Sequence, residues 1–370
     1  MKRLLVGYDG SLFAAEAARL AGQLALRLGA TVSVHCASSP SSSVVDGRAV
    51  EVRVPRVVHP AGTGGAAQRT RATRPAGGGV ANAAAGAMAR EGAAIVRSCG
   101  VAAGSITATA ERGAPAEVLV EAARRERADL IVVGHRGRGA LTDVLLGGVA
   151  RRVASAAPCP VLVVRGTVPQ SISQVLVATN GSVPSQRVTE AAAVLARAWG
   201  AGITLLYVID SPAPAPEIAG ARKPYAAVAP ADEQPDGKPD GEPDDEERAR
   251  AERALAWATD VCRRAGVQVE AILERGPVAQ TILALADARE ATLIAIGRPD
   301  SSRGPELELG RDSDALLSGA PGPVLIAGER VEDRAGEAES PPPPAAPAPR
   351  RQWRRVGPLR LPAWLWFWER

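Results

Sequence analysis

The chain has 370 residues, a length that suits two domains better than one. Hydrophobic residues make up 46% of it but aromatics only 3%, so any core is built from Ala, Val, Leu and Ile. The net charge of +4 is mild, and neither half shows a concentrated basic stretch with interleaved aromatics, which argues against a nucleic-acid binder.

Read in order, Arg3–Tyr8 is an apolar strand whose run stops at Asp9, too early for a signal peptide. Leu12–Leu28 is an Ala/Leu-rich helix with Gly29 as its C-cap, and Thr31–Cys36 is the second strand. From about residue 37 to 80 the composition turns to Gly, Ser and Pro without apolar periodicity. A helix then covers Asn82–Ser98, a strand Ser105–Ala110, and a helix Pro115–Arg127 with proline near its first position. Leu130–Val133 is a strand, Val149–Ala156 a helix and Val161–Val164 the last strand. Strands alternating with helices predict a parallel sheet covered on both faces. The short, uniformly apolar strands fit burial on both sides.

The order then repeats. Leu4-Leu-Val-Gly-Tyr-Asp9-Gly10-Ser11 returns as Val175-Leu-Val-Ala-Thr-Asn180-Gly181-Ser182. Glu111-Arg-Gly113 returns as Glu274-Arg-Gly276, Asp129–Gly134 as Thr292–Gly297, and Ala157–Val164 as Ala320–Ala327, all three at an offset of 163 residues. Such self-similarity marks a duplicated domain. We therefore expect an α/β fold of two tandem doubly wound, five-stranded parallel-sheet domains, residues 1–168 and 169–330.

Each copy carries an insertion after its second strand. The first has six basic residues against two acidic ones, a balance of +4, and the second, about residues 211–247, has three against ten, a balance of −7. They read either as solvated loops or as oppositely charged lids over the crevice at the strand ends. Residues 331–349 form a Pro/Ala-rich linker. The tail, 350–370, holds Trp353, Trp364, Trp366 and Trp368 beside six arginines. That composition suits a peripheral membrane anchor, a protein-docking segment, or a tail packed on its own domain. No run reaches the roughly 20 apolar residues of a membrane span. Cys36, Cys99, Cys159 and Cys262 are scattered without a CxxC pair and read as reduced thiols of a cytoplasmic protein, with the tail offering contact at the inner membrane face.

The stretch with most chemistry runs from Asp129 to Val149. An apolar strand breaks at Gly134, passes through a Gly/Arg loop (Gly137, Arg138, Gly139) and re-enters a helix at Gly147-Gly148. Glycines let backbone N–H groups approach an anion, and a helix N-terminus favours negative charge, so this is a candidate phosphate cradle. His35 reads as a core histidine, His59 falls in the first insertion, and His135 sits in the loop within reach of a phosphate. Nothing resembles a Walker A motif or a metal-ligand spacing.

The spacing Gly134-x2-Gly137-x9-Gly147, with Val6–Ser11 and Ala157–Arg165, resembles the universal stress protein family across residues 1–328 as two copies. The resemblance implies ATP, with Mg2+ as its companion ion, held at the strand C-terminal ends by Gly7, Asp9, Cys36, Gly134, Arg136, Gly137, Arg138, Gly139, Gly147, Gly148 and Val149. Asp9 would meet the adenosine, although an Asp here can also cap the next helix, a task open to Ser11. Cys36 is as readily a buried thiol as an adenine contact, and Arg136 and Arg138 as readily solvent-exposed charge as phosphate ligands. The family's Ser or Thr is replaced by Gly148, which removes one phosphate contact. In the second copy Asn180, Asp300 and Arg311 replace expected signature residues, so we expect no ATP there. The resemblance also implies pairing of the two copies through their last strands, and homodimers by the same edge. The expected function is an ATP-binding stress-response regulator of an unidentified protein partner, not an enzyme beyond weak ATP hydrolysis. The rivals are a nucleotide-independent scaffold and a membrane adaptor.

Overall fold

The computed structural model describes residues 1–38, 80–137, 147–166, 171–211, 245–298 and 310–328. Arg138, Gly139, His59, Asp300, most of both insertions, the linker and the tail, with the expectations attached to them, lie outside the described residues.

The first half runs β1 (Arg3–Gly7), α1 (Leu12–Leu28), β2 (Thr31–Ser38), α2 (Val80–Ser98), β3 (Ile106–Arg112), α3 (Pro115–Glu126), β4 (Leu130–Gly134), α4 (Gly148–Ala156) and β5 (Val161–Val164). The second runs β6 (Gln174–Ala178), α5 (Val183–Trp199), β7 (Gly202–Asp210), α6 (Asp245–Arg264), β8 (Val269–Gly276), α7 (Val278–Ala288), β9 (Leu293–Gly297), α8 (Arg311–Gly319) and β10 (Val324–Ala327). Several sequence boundaries shift by a residue or two. β2 continues to Ser38 because it pairs with β3 through Ser38↔Arg112, and β3 accordingly starts and ends later than expected. α2 starts at Val80 rather than Asn82. Asp245, Glu246 and Glu247, counted with the acidic insertion, are the first turn of α6, where carboxylates complement the helix dipole.

All ten strands form one sheet in the order β3-β2-β1-β4-β5-β10-β9-β6-β7-β8. Within each half the pairs are parallel, and β5 and β10 join the halves antiparallel. One face packs against α1, α2, α5 and α6 and the other against α3, α4, α7 and α8, each core running without a break across both halves. The expected pairing of the two copies through their last strands is therefore present within one chain.

The join is close to a two-fold. Leu162 pairs with Leu325, its own counterpart at the 163-residue offset. Arg151 of α4 likewise meets its counterpart Asp314 of α8 at 3.1 Å. Across the same seam Arg165 donates to Leu317 O, and Arg298 donates to Ala154 O (3.0 Å) and Ser155 O. Ala154 and Leu317 are also counterparts, so each helix C-terminus receives a guanidinium from the other half, as its unsatisfied carbonyls favour.

In each half the chain order leaves β1 for one side of the sheet and β4 for the other, and β6 and β9 do the same. The crevice at the C-terminal ends of such a strand pair is where doubly wound folds hold ligands.

Candidate functional site

In the first half β1 ends beside β4, with Gly7 paired to Val133. The turn Asp9-Gly10-Ser11 needs the left-handed backbone at Gly10 (φ 77°). Asp9 Oδ1 accepts from Ser11 N–H at 2.9 Å. Ser11 then caps α1: its hydroxyl accepts from Ala14 N–H (3.2 Å) and donates to Arg136 O (3.3 Å). Capping thus falls to Ser11, and the second carboxylate oxygen of Asp9 lies against Gly137, where any Cβ would strike it. The two ends of the glycine loop are pinned together by Gly147 N–H donating to His135 O at 2.8 Å. Gly147 is the N-cap of α4 and brings no side chain to its N–H groups. Asp9, Gly137 and the open N-terminus of α4 are therefore gathered around one crevice.

The floor of this crevice is positive. Arg136 is buried at 7% exposure, so it is not the solvent-facing charge that the sequence allowed. Arg165 is half-buried, and burial followed by the neighbouring Arg136 lowers its pKa. Between them His135 is buried, stacks edge-on to Phe13 at 4.1 Å, and has Nδ1 3.3 Å from Val164 O. Burial, then Arg165 and Arg136, lowers its pKa from 6.5 to about 4, against the opposing hydrogen bond to Val164. His135 is thus a neutral packing residue with no charge to offer a phosphate.

This has a consequence for acid stability. The unfolded chain takes up its proton at 6.5 and the folded one only at about 4. The stability held by the neutral imidazole is intact above the unfolded value and is lost as the pH falls towards the folded one. At pH 5 the loss from this group is about 2 kcal/mol. Urea unfolding should show the parent losing about 2 kcal/mol more than His135→Gln between pH 7 and pH 5. Equal losses would remove this account.

Other expected site residues are explained differently. A Cβ on Gly7 would lie 2.7 Å from Leu119 Cδ1, so the absence of a side chain there serves packing against α3. Cys36 is buried with Ala85 and Ala89 of α2. His35 is buried between Glu111 (3.3 Å) and Glu126 (2.9 Å), close enough for ion pairing but off the line for hydrogen bonding. Gly148 and Val149 open α4, and Val149 is 41% exposed at the mouth of the crevice. Among the described residues nothing lies within 4 Å of the position a Gly148 Cβ would take, so there the missing Ser or Thr would fit.

The second half differs at the same place. Asn180 Oδ1 accepts from Ser182 N–H (3.1 Å) and Ser182 Oγ–H (2.6 Å). α8 carries Asp312 and Asp314 in its first turn. Burial and then Asp210 raise the pKa of Asp312, whose carboxylate accepts a backbone hydrogen bond from Ala279. Its counterpart in α4 is Val149. The first turn of α4 carries no acid, whereas that of α8 carries two, one hydrogen-bonded to α7 and the other paired with Arg151. Sequence reading missed Asp312, although an acid two residues after the third glycine position was a visible signal. It also missed the seam arginines Arg165 and Arg298, whose acceptors are backbone carbonyls that no residue pattern marks.

Among the described residues no helix is long and apolar enough to cross a membrane, and no group of three or more His, Cys, Asp or Glu could hold a metal. A sequence model described as the universal stress protein family matches residues 1–165 and 172–328. A universal stress protein of Thermus aquaticus is 52% identical over 54 residues, covering 15% of this chain and 39% of that protein. One of Mycolicibacterium smegmatis is 53% identical over 55 residues, 15% of this chain and 18% of that protein. These alignments span well under two thirds of either relative. The crystal structure of a universal stress protein from Archaeoglobus fulgidus covers 89% of this chain and 97% of its own, with a TM-score of 0.58 at 17% identity, a likeness of fold.

Proposed function

The chain belongs to the universal stress protein family, and on that premise we propose that its first domain binds one ATP, and that the bound nucleotide alters affinity for a protein partner. The carboxylate of Asp9 would accept from the ribose hydroxyls or the base amine. The polyphosphate would lie on the N-terminus of α4, with Arg136 beneath the loop as the nearer positive charge. The observation that carries this reading is the contrast between the two helix ends. Neither helix has a capping side chain, but α4 has no acid in its first turn, whereas α8 has Asp312 and Asp314. Mg2+ would travel with the phosphates, as it commonly does when a protein offers few carboxylates.

The reading is of a binding protein. His135 is neutral and packed, so it is not offered as a general base, and hydrolysis is expected to be slow. Calorimetric titration of the full chain with ATP should give one site per chain. Gly148→Ser should tighten it about tenfold, since one charge-assisted hydrogen bond contributes about 1.5–3 kcal/mol. No saturable binding at millimolar ATP would make the protein a nucleotide-independent scaffold. Two sites per chain would overturn the assignment to the first domain.

A further inference from the structure

The second domain has an acidic first turn in α8 where α4 has none, and it holds a cavity of about 280 Å³ between the turn after β6 and helix α6. Its lining includes Asn180, Ser182, Gln186, Arg250, Arg253 and Trp257. The helices α2 and α6 can be aligned through the matching turns at Gly100 and Gly266, which repeat the same N–H to C=O closure. That register superposes the buried Ala85, Ala89 and Val96 on the buried Ala251, Leu255 and Cys262. It also sets Arg250 against Ala84, Arg253 against Ala87 and Trp257 against Glu91. With Asn180 in place of Asp9, the region has exchanged two carboxylates for two guanidiniums and a tryptophan.

The new charges are not tied up. Arg248 and Arg264 on the same helix pair with Glu252 and Asp260. Among the described residues neither Arg250 nor Arg253 is in an ion pair. Asn180 uses its carbonyl oxygen on Ser182, so the polar group it has left is the NH2 donor. Two arginine forks, an amide donor and an indole face lining one cavity have complementary targets in a phosphate dianion and a flat ring. The volume is at the low end of the roughly 300–1,000 Å³ typical of ligand pockets, room for one ring and one phosphate.

We propose that this cavity is a second binding site, for a small aryl or heteroaryl phosphate monoester, with the phosphate between Arg250 and Arg253 and the ring against Trp257. The first half has no such lining at the aligned positions, so the two domains would answer to different ligands.

The test uses the full chain carrying Gly137→Leu, which on the reading above weakens the first site about a hundredfold, and the R250A/R253A variant then assigns any remaining binding to this cavity. Phenyl phosphate, inorganic phosphate and phenol are titrated calorimetrically. Phenyl phosphate should bind one per chain, about tenfold tighter than inorganic phosphate, and phenol should give no saturable signal. R250A/R253A should weaken phenyl phosphate at least about tenfold without lowering the thermal midpoint, since both side chains are on the helix exterior. W257L should bring phenyl phosphate down to the level of inorganic phosphate. Unchanged affinity in R250A/R253A, or no saturable binding of phenyl phosphate to the parent, would overturn the proposal.

Discussion

Gly137→Leu should weaken ATP binding about a hundredfold and leave the thermal midpoint of unfolding nearly where it was. The backbone of Gly137 lies against the carboxylate of Asp9, so even a Cβ there would strike Oδ2. The obstacle is the end of a short side chain whose Oδ1 accepts from Ser11 N–H at 2.9 Å. Displacing it costs the fold about 1 kcal/mol. It costs the ligand more. The charge-assisted contact to the ribose or base, roughly 1.5–3 kcal/mol, is lost, and the leucine occupies the space beyond. Calorimetric titration beside a thermal melt separates the two effects. Parental affinity would remove Asp9 from the site, and a large drop in midpoint would make Gly137 a packing residue.

Gly134→Ala, three residues earlier, should do the reverse and destabilise the protein by about 3 kcal/mol. A Cβ there would lie 2.7 Å from Phe13 C, 2.8 Å from Phe13 Cβ and 2.9 Å from Ala14 N. These atoms belong to the first turn of α1, which cannot rotate aside, so the helix would have to slide off β4. Gly297 has the same relation to α5, with Ser185 N at 2.6 Å and Pro184 C at 2.9 Å. Gly297→Ala should therefore cost a similar amount, although its half lacks an open phosphate position. Chemical denaturation of both variants measures this directly. A loss in Gly134→Ala alone would return Gly134 to a role in ligand binding.

That comparison shows where reading the sequence succeeds and where it stops. Strand and helix order were legible because each element has its own apolar period and punctuation. Leu12–Leu28 with Gly29 and Val161–Val164 appear as expected. The join of β5 to β10 followed from the resemblance. The reason for a glycine was not legible. Gly134 and Gly137 stand in one motif, yet the first is required by Phe13 and the second touches Asp9, both more than a hundred residues away in the chain. Arg136 illustrates the same limit: an arginine in a glycine loop reads as readily exposed as ligand-facing, and only the fold shows it buried. The surroundings of Asp312 are set by Ala279 and Asp210, which local pattern cannot bring together.

The ion pair on the seam has a consequence for assembly. A symmetric dimer must present the same residue twice at its axis, so a charged side chain there always faces its like. Fusing the two copies lifts that restriction, and Arg151 and Asp314 use the freedom by taking opposite signs at 3.1 Å. A first half meeting another first half along this edge would oppose arginine to arginine, and two second halves aspartate to aspartate. Between exposed groups each such mismatch is a matter of ~1 kcal/mol, small for stability but always in the same direction for choice of mate. The chain thus discriminates self from non-self at its own centre, and the edge by which a single-domain ancestor could have joined its twin is reserved for the sister domain on the same polypeptide.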